Sequence, residues 1–366
     1  MLRRSTGFAY FLGNQSRCTM WRIARNINSM RSSPPTVAPM TDPRCHLFSA
    51  DRVRDVESAE SLPGWDLCFL QLSRGTLTGS FRAVDLGGMQ IVEERYARVT
   101  LNEFGRAPPD SYLFSVPHWE GECGRVNAAT WTGGGIYMTR SDRDLDAVVP
   151  PGKDISIVVN QNLLKEYVAV TQHLDLENWL SRRSLLCTDT SLGHQISVLA
   201  SEVVAASCAN HFDGRLRTAS RESVMEILAD VVACNVGARP PSFREISRPL
   251  IVQRARDFIR NHIQEPLQVI DLCRHLCVSR RALQSAFEDV LGVSPSTYMR
   301  LLRLNGARSS LLRPSVGLQV KDVLQQWGFW HFSRFTADYK ELYGELPSQT
   351  LQCARLTGIG QAFLNH

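Results

Sequence analysis

The spacing of apolar residues changes once along this chain, near Gln161. From about Gly64 to Asn160 they come in short runs rich in aromatic and β-branched side chains, the texture of strands. FRAVDLGGMQIVEERYARVT turns on Gly87-Gly88 between two such runs, as a hairpin would. SYLFSVP, GIYMTR and DISIVVN are further runs, set apart by WTGGG, SDRD and PPGKD. Roughly six to eight short strands at this spacing predict a small barrel or sandwich closed on itself. Beyond Gln161 the period becomes three to four. LLKEYVAVTQHLDLENWL, ISVLASEVVAAS and SRESVMEILADVVAC are thereby predicted as amphipathic helices. NVGARPP, from Asn235 to Pro241, stops them and reads as a linker, and a C-terminal helical domain opens near Arg248 with LIVQRARDFIRNHI.

That last domain contains one pattern twice: VIDLCRHLCVSRRALQSAFEDVLGVSP, Val269 to Pro295, and VKDVLQQWGFWHFSRFTADYKELYGELP, Val320 to Pro347. Each copy has a short amphipathic helix, a tight turn, a second helix opening on polar residues, and a closing Gly-x-x-Pro. In the first, Val269, Leu272 and Leu276 support, Cys277 and Val278 turn, Ser279 caps, and Leu283, Ala286, Phe287 and Val290 pack inward. Arg280, Arg281, Gln284 and Ser285 are left on the opposite face. Arginine on guanine and glutamine on adenine are pairings that major-groove geometry favours, while Arg280 equally suits a phosphate. In the second copy Val323, Leu324 and Trp327 support, Gly328 and Phe329 turn, and Phe335 and Tyr339 pack inward. His331, Phe332, Ser333, Arg334, Thr336 and Ala337 are left outward. Phe332 suits thymine methyls or a cover over the hinge. Two helical hairpins in tandem predict two recognition helices in successive major grooves. The segment between them, Pro295 to Leu312, has helical spacing, and roughly 17 residues at about 1.5 Å each make a rod near 25 Å long. Arg303 and Arg308 on it fit either DNA-backbone contacts or internal ion pairs. Gly306 within it permits either close packing or a bend.

Charge sharpens this division. From Ile251 onward 14 basic residues face 9 acidic ones, and the first 40 residues hold six arginines and no acid. The remainder is acidic, so the basic terminal module is the one suited to phosphates. The ten cysteines are scattered without zinc-finger spacing, as expected of reduced thiols. No apolar run approaches the length of a membrane span. The arginine- and serine-rich first 45 residues imitate a transit peptide. If the paired helical hairpins mark a bacterial DNA-binding protein, these residues read instead as a disordered tail or as translation assigned too far upstream. No defined fold is expected before about residue 50.

Landmarks over about residues 249 to 350 resemble the DNA-binding domain of the AraC/XylS family of bacterial transcription regulators. They are Leu272 and Leu276, Val278-Ser279, Leu283, Phe287, Gly292, Pro295 and Tyr298, then Leu304, Ala307 and Leu311, then Gly328-Phe329, Phe335, Tyr339-Lys340, Gly344 and Pro347. The resemblance implies base contacts from Arg281, Gln284 and Ser285 in the first head and from His331, Ser333, Arg334 and Ala337 in the second. Ser279, Arg280, Arg303 and Lys340 are the candidates for the DNA backbone. Ser285 and Ala337 depart from the arginine common in the family, and Trp330-His331-Phe332 departs from its usual polar hinge. The implied fold is multidomain α+β, in which an all-α domain of two helix-turn-helix units joined by a long helix follows an effector-sensing module. Its divisions are an extension over 1–50, a cupin-like β-barrel over 51–160, a helical dimerisation segment over 161–234, a linker over 235–248, the DNA-binding domain over 249–350 and a tail over 351–366. Implied partners are duplex DNA, RNA polymerase, a small-molecule effector and a second copy of the chain, in the cytoplasm at the nucleoid. Trp327 to His331, ARDFIRNHIQEP and, more faintly, Leu72 to Glu94 resemble one branch that activates ethanolamine utilisation. That branch implies ethanolamine and adenosylcobalamin as effectors.

Enzymatic readings find little. Residues 60 to 160 hold one histidine, His118, too few for a cupin metal centre, and no phosphate loop, dinucleotide fingerprint or Ser-His-Asp arrangement occurs. Aromatic or polar residues near the expected barrel, Trp65, Arg74, Arg95, Tyr112, Trp119 and Trp131, are the candidates for effector contact. The alternative function is a ligand-binding or enzymatic β-barrel carrying a helical protein-interaction module.

Overall fold

The computed structural model describes residues 47–53, 64–119, 123–127, 129–176, 184–187, 189–208, 212–235, 243–263 and 267–364. The expected extension up to residue 46 and the expected linker over 236–242 lie outside the described residues. The strands are β1 (Leu47–Val53), β2 (Asp66–Gln71), β3 (Thr78–Asp85), β4 (Met89–Ala97), β5 (Leu101–Arg106), β6 (Ser111–Trp119), β7 (Gly124–Val126), β8 (Ala129–Trp131), β9 (Ile136–Arg140), β10 (Leu145–Val149), β11 (Gly152–Asn160) and β12 (Leu185–Cys187). The Gly87-Gly88 hairpin forms as read: both glycines have positive φ, as a two-residue turn matched to the strand twist requires.

The cupin-like closed barrel does not form. The strands make two open sheets, one of seven in the order β1-β3-β4-β11-β6-β9-β12 and one of five in the order β2-β5-β10-β7-β8. A barrel needs one continuous ladder around its girth, and here the ladder is interrupted where the chain changes sheet. β10 pairs with β5 and β7, whereas β11 pairs with β4 and β6. Between them stand Pro150 and Pro151, which have no N–H to donate across a ladder.

The seven-stranded sheet buries apolar residues on both faces. Ile155, Ile157 and Val159 of β11, with Tyr112, Phe114 and Val116 of β6, meet the helices α1 (Gln161–Thr171), α2 (Thr190–Cys208) and α3 (Gly214–Asn235). Alternate residues on the other face, among them Phe81, Val92, Tyr96, Leu113 and Val158, meet Leu67, Phe69, Leu101, Ala147 and Val149 of the five-stranded sheet. The result is three layers: helices, large sheet, small sheet.

A fourth layer covers the outer face of the small sheet. It comprises α4 (Phe243–Asn261), α5 (Val269–Leu276), α6 (Arg280–Leu291), α7 (Pro295–Leu312), α8 (Val320–Gln326), α9 (Phe332–Tyr343) and α10 (Pro347–Leu364). Arg256 of α4 is 5% exposed, and its Nη2 donates to Asp146 Oδ2 at 3.0 Å and to Asn102 Oδ1 at 3.1 Å. Its guanidinium lies 4.4 Å from the Phe104 ring centre, beside that of Arg260 at 4.3 Å. Further along, the Gln71 N–H donates to Asn305 Oδ1 at 3.0 Å and the Gly75 N–H to the Leu342 carbonyl at 2.8 Å.

Candidate nucleic-acid interface

The two helical hairpins are built alike. Each first helix begins with an aspartate that accepts the N–H three residues back, Asp271 from Gln268 and Asp322 from Gln319, both at 2.9 Å. Each then turns at a left-handed residue, Cys277 (φ 54°) or Gly328 (φ 69°). Three residues, 277–279, separate the two helices of the first copy, and five, 327–331, those of the second. Ser279 starts α6 with its hydroxyl accepting the Ala282 N–H at 3.1 Å, whereas His331 starts α9 with no such side-chain bond. Leu283, Ala286, Phe287, Phe335 and Tyr339 are buried as expected.

Between the heads α7 runs as the predicted rod. Gly306 serves close packing, since a Cβ there would lie 2.1 Å from the Trp327 ring, whose Nε1 donates to Ser310 Oγ at 3.0 Å. Arg308 is an internal group: it donates to Glu345 Oε1 at 2.8 Å and lies 4.5 Å from the Tyr343 ring centre. Arg303 is half-buried near the Gly328 turn.

Arg280 and Arg281 are exposed on the first turn of α6. Gln284 and Ser285 are half-buried and donate one turn along the helix, to Glu288 Oε1 at 2.5 Å and to Asp289 Oδ2 at 3.0 Å. Asp289 is also paired with Arg248 at 2.6 Å. In the second head His331, Ser333, Arg334, Ala337 and Lys340 are all exposed, and Trp330 and Phe332 project beside them at 82% and 57% exposure. Ser279, Arg280, Arg281, Gln284 and Ser285 thus gather at one helix start, and His331, Ser333, Arg334 and Ala337 at another. The acids Glu288 and Asp289, which occupy two of these groups, were not singled out in the sequence. Their i+4 spacing from Gln284 and Ser285 was the available signal.

The six effector candidates do not share one place. Trp119 and Trp131 meet edge to face, ring centres 5.1 Å apart, in the core between the sheets. Trp65 packs against that core, with its Nε1 donating to Gln90 Oε1 at 2.7 Å. Tyr112 lies in the core on the opposite face of the large sheet. Arg95 pairs with Glu93 at 3.2 Å, and Arg74 pairs with Glu341 at the end of α9. His118 also leaves the inter-sheet space, meeting Ser197 of α2 at 2.5 Å, and burial lowers its pKa, helped by nearby Lys153. The sequence reading missed three acids that the strand pattern turns between the sheets, Glu94 and Glu103 buried and Asp154 half-buried. The signal was present in β4, where the alternation through Val92 and Tyr96 turns Glu94 inward.

No helix among the described residues is long and apolar enough to cross a membrane. Residues 272–352 match the family model described as a helix-turn-helix domain. A probable thc operon regulatory protein of Rhodococcus erythropolis is 38% identical over 105 residues, which are 28% of this chain and 32% of that protein. The XylDLEGF operon transcriptional activator 2 of Pseudomonas putida is 30% identical over 108 residues, 29% of this chain and 69% of that one. Among solved structures, the AraC-like transcriptional activator CuxR overlays with a TM-score of 0.34 at 15% identity, covering 68% of this chain and 86% of its own. The chain thus spans about a third of the length of the Rhodococcus relative, and the residues matched by the family model lie in the helical region of this chain. With two thirds of the Pseudomonas activator covered at that identity, the chain belongs to the AraC/XylS family of transcriptional regulators.

Proposed function

We propose that the chain is a sequence-specific DNA-binding activator of a catabolic operon that answers a small-molecule effector. One observation carries the DNA reading. Two copies of the same hairpin stand on one rod, and each leaves the opening turns of its second helix exposed. The 18 residues of α7 span about 27 Å at 1.5 Å each, which with the width of the heads suits one turn of duplex, roughly 34 Å. Arg281, Gln284 and Ser285 read bases in one groove and His331, Ser333, Arg334 and Ala337 in the next. Ser279, Arg280, Arg303 and Lys340 hold phosphates. More of the base specificity comes from Arg281 and Gln284 of the first head, whose arginine-guanine and glutamine-adenine pairings suit the major groove, and the second head contributes positioning and shape contacts. Footprinting of the full chain on the DNA upstream of the neighbouring operon should protect about 17 to 20 base pairs on one face. Protection confined to a single groove overturns the two-headed reading.

The β-sheet region, residues 51–160, serves as the sensing module and the helices of 161–234 as the pairing element of a homodimer, with 249–350 binding DNA and contacting RNA polymerase. The finer effector reading, ethanolamine with adenosylcobalamin, is supported by the likeness of Trp327 to His331 and of the segment before the first head to that branch. Calorimetry with each compound, alone and with operator DNA, tests it: linkage requires effector and operator to strengthen each other's binding if one equilibrium joins them.

A further inference from the structure

The space between the two sheets is mostly apolar but encloses a group of three carboxyls with hydroxyls beside them. Glu94 and Asp154 are direct cross-strand neighbours on β4 and β11, and both face the small sheet. Glu103 enters from the opposite side, on β5, where Leu101 shares its inward face. Glu94 is 5% exposed and Glu103 9%. No lysine, arginine or histidine among the described residues acts on any of the three; their electrostatic neighbours are one another. Lys153 and Arg95, adjacent in sequence, turn to the other face of the sheet, where both bind Glu93.

Some hydrogen bonds exist. Tyr96 donates its hydroxyl to Glu94 Oε2 at 3.0 Å, and Ser115 and Ser156 donate to Asp154 Oδ2 at 2.7 and 3.1 Å. The Ile155 N–H also acts on the Asp154 carboxyl, but Glu103 Oε1 and Asp154 Oδ1 are shut off from solvent with no hydrogen-bond partner among the described residues. An enclosed carboxyl oxygen without a partner costs about 1–3 kcal/mol, more when charged. Two such oxygens, one from each sheet, are acceptors available to a donor, and Glu94 and Asp154 both act electrostatically on Glu103. The three acids together with the histidines and cysteines around them do not form a metal-holding group among the described residues. The Tyr96 ring, with Phe69 at a centroid distance of 6.4 Å, lies in the same core and offers an apolar and cation-attracting wall.

We propose that the inter-sheet space bounded by Glu94, Glu103 and Asp154 binds a small organic cation, its protonated amine bonded to these carboxyls and its carbon skeleton against Tyr96 and Phe69. This rests on the reading of the β-sheet region as the sensing module and gives that module a ligand class. The protonation states fit a single positive charge. Burial, with Asp154 beside it, pushes Glu94 up to about 8, and burial with the other two acids raises Glu103. Burial moves Asp154 only to about 6, because the two serine hydroxyls and the Ile155 N–H offset it, so Asp154 carries the negative charge at neutral pH. The site is also placed to be felt by the helical layer. Glu103 faces inward while its neighbours Asn102 and Phe104 face outward to Arg256 and Arg260.

Thermal unfolding and calorimetry of the full chain with propylamine, ethanolamine and tetramethylammonium, against ethylene glycol and acetate, test the proposal. At least one amine should raise Tm saturably at millimolar concentration, with no response to acetate or ethylene glycol. Glu103→Gln and Asp154→Asn should each weaken that amine about tenfold or more, about 1.4 kcal/mol, while remaining folded by circular dichroism. Should Asp154→Asn fail to fold, Glu103→Gln alone decides. No response to any of the three amines, an equal response in Glu103→Gln, or a stronger response to acetate overturns the proposal. Operator footprinting on the same samples separates the two readings. A two-groove footprint without amine binding removes the ligand class and leaves the regulator; amine binding without a footprint does the reverse.

Discussion

Arg281 and Gln284 occupy successive turns of α6, yet their situations differ. Arg281 is exposed, whereas Gln284 already donates to Glu288. Arg281→Ala should therefore cost about 1–3 kcal/mol at one base position and flatten the preference there. An equal loss on operator and random DNA, with a shallower salt dependence, would instead mark Arg281 as a phosphate contact. Packing residues admit an equally sharp test at Gly306. Alanine in a helix gains up to about 1 kcal/mol over glycine, but here its methyl group would meet the Trp327 ring at 2.1 Å. Overpacking should win, so Gly306→Ala should lower stability by about 1–3 kcal/mol in denaturant titration. A neutral or stabilising result would show that Trp327 moves aside at little cost.

At the scale of elements, the helical region was largely legible in the sequence because its signals are local. Val320 to Gln326 and Phe332 to Tyr343 carry their own period, turn and stop, so the hairpins and the rod could be read without knowing their partners. The sheets could not be read as fully. Gly87-Gly88 declared its hairpin, but β10 and β11 are adjacent in sequence and lie in different sheets, and only long-range pairing decides that. The acids of the inter-sheet core escaped notice for the same reason, since Glu103 meets Glu94 and Asp154 only when two sheets face each other. The duplication itself yields a prediction at this scale. Ser279 caps α6 and His331 leaves α9 without a side-chain cap. Ser279→Ala should thus cost about 1 kcal/mol, while His331→Ser should gain up to about that much. Thermal unfolding of the two variants checks the asymmetry, and equal changes of the same sign would contradict it.

Across the whole molecule, stability should depend on pH through the inter-sheet acids and on one buried ion pair. Glu94 is raised from an ordinary value of 4.5 to about 8, and Glu103 is raised as well. The folded chain therefore holds protons that the unfolded chain releases, so this stability is complete below about pH 4.5 and is lost as pH rises through about 8. Glu94→Gln should flatten that decline between pH 5 and 9 in denaturant titrations at fixed ionic strength, and an unchanged slope would place the acids in a more solvated setting. The ion pair joins layers rather than strands. Arg256 of α4 reaches Asp146 and Asn102 on the outer face of the small sheet, and removing one partner leaves the other charge buried and uncompensated. Arg256→Met should accordingly cost about 3–5 kcal/mol, whereas adding Asp146→Leu should restore much of it. If this contact makes the helical layer and the sheets unfold together, calorimetry should show one transition for the parent chain and two for Arg256→Met. A single unshifted transition in that variant would mean that the union rests instead on the Gln71–Asn305 and Gly75–Leu342 contacts at the far end of the same surface.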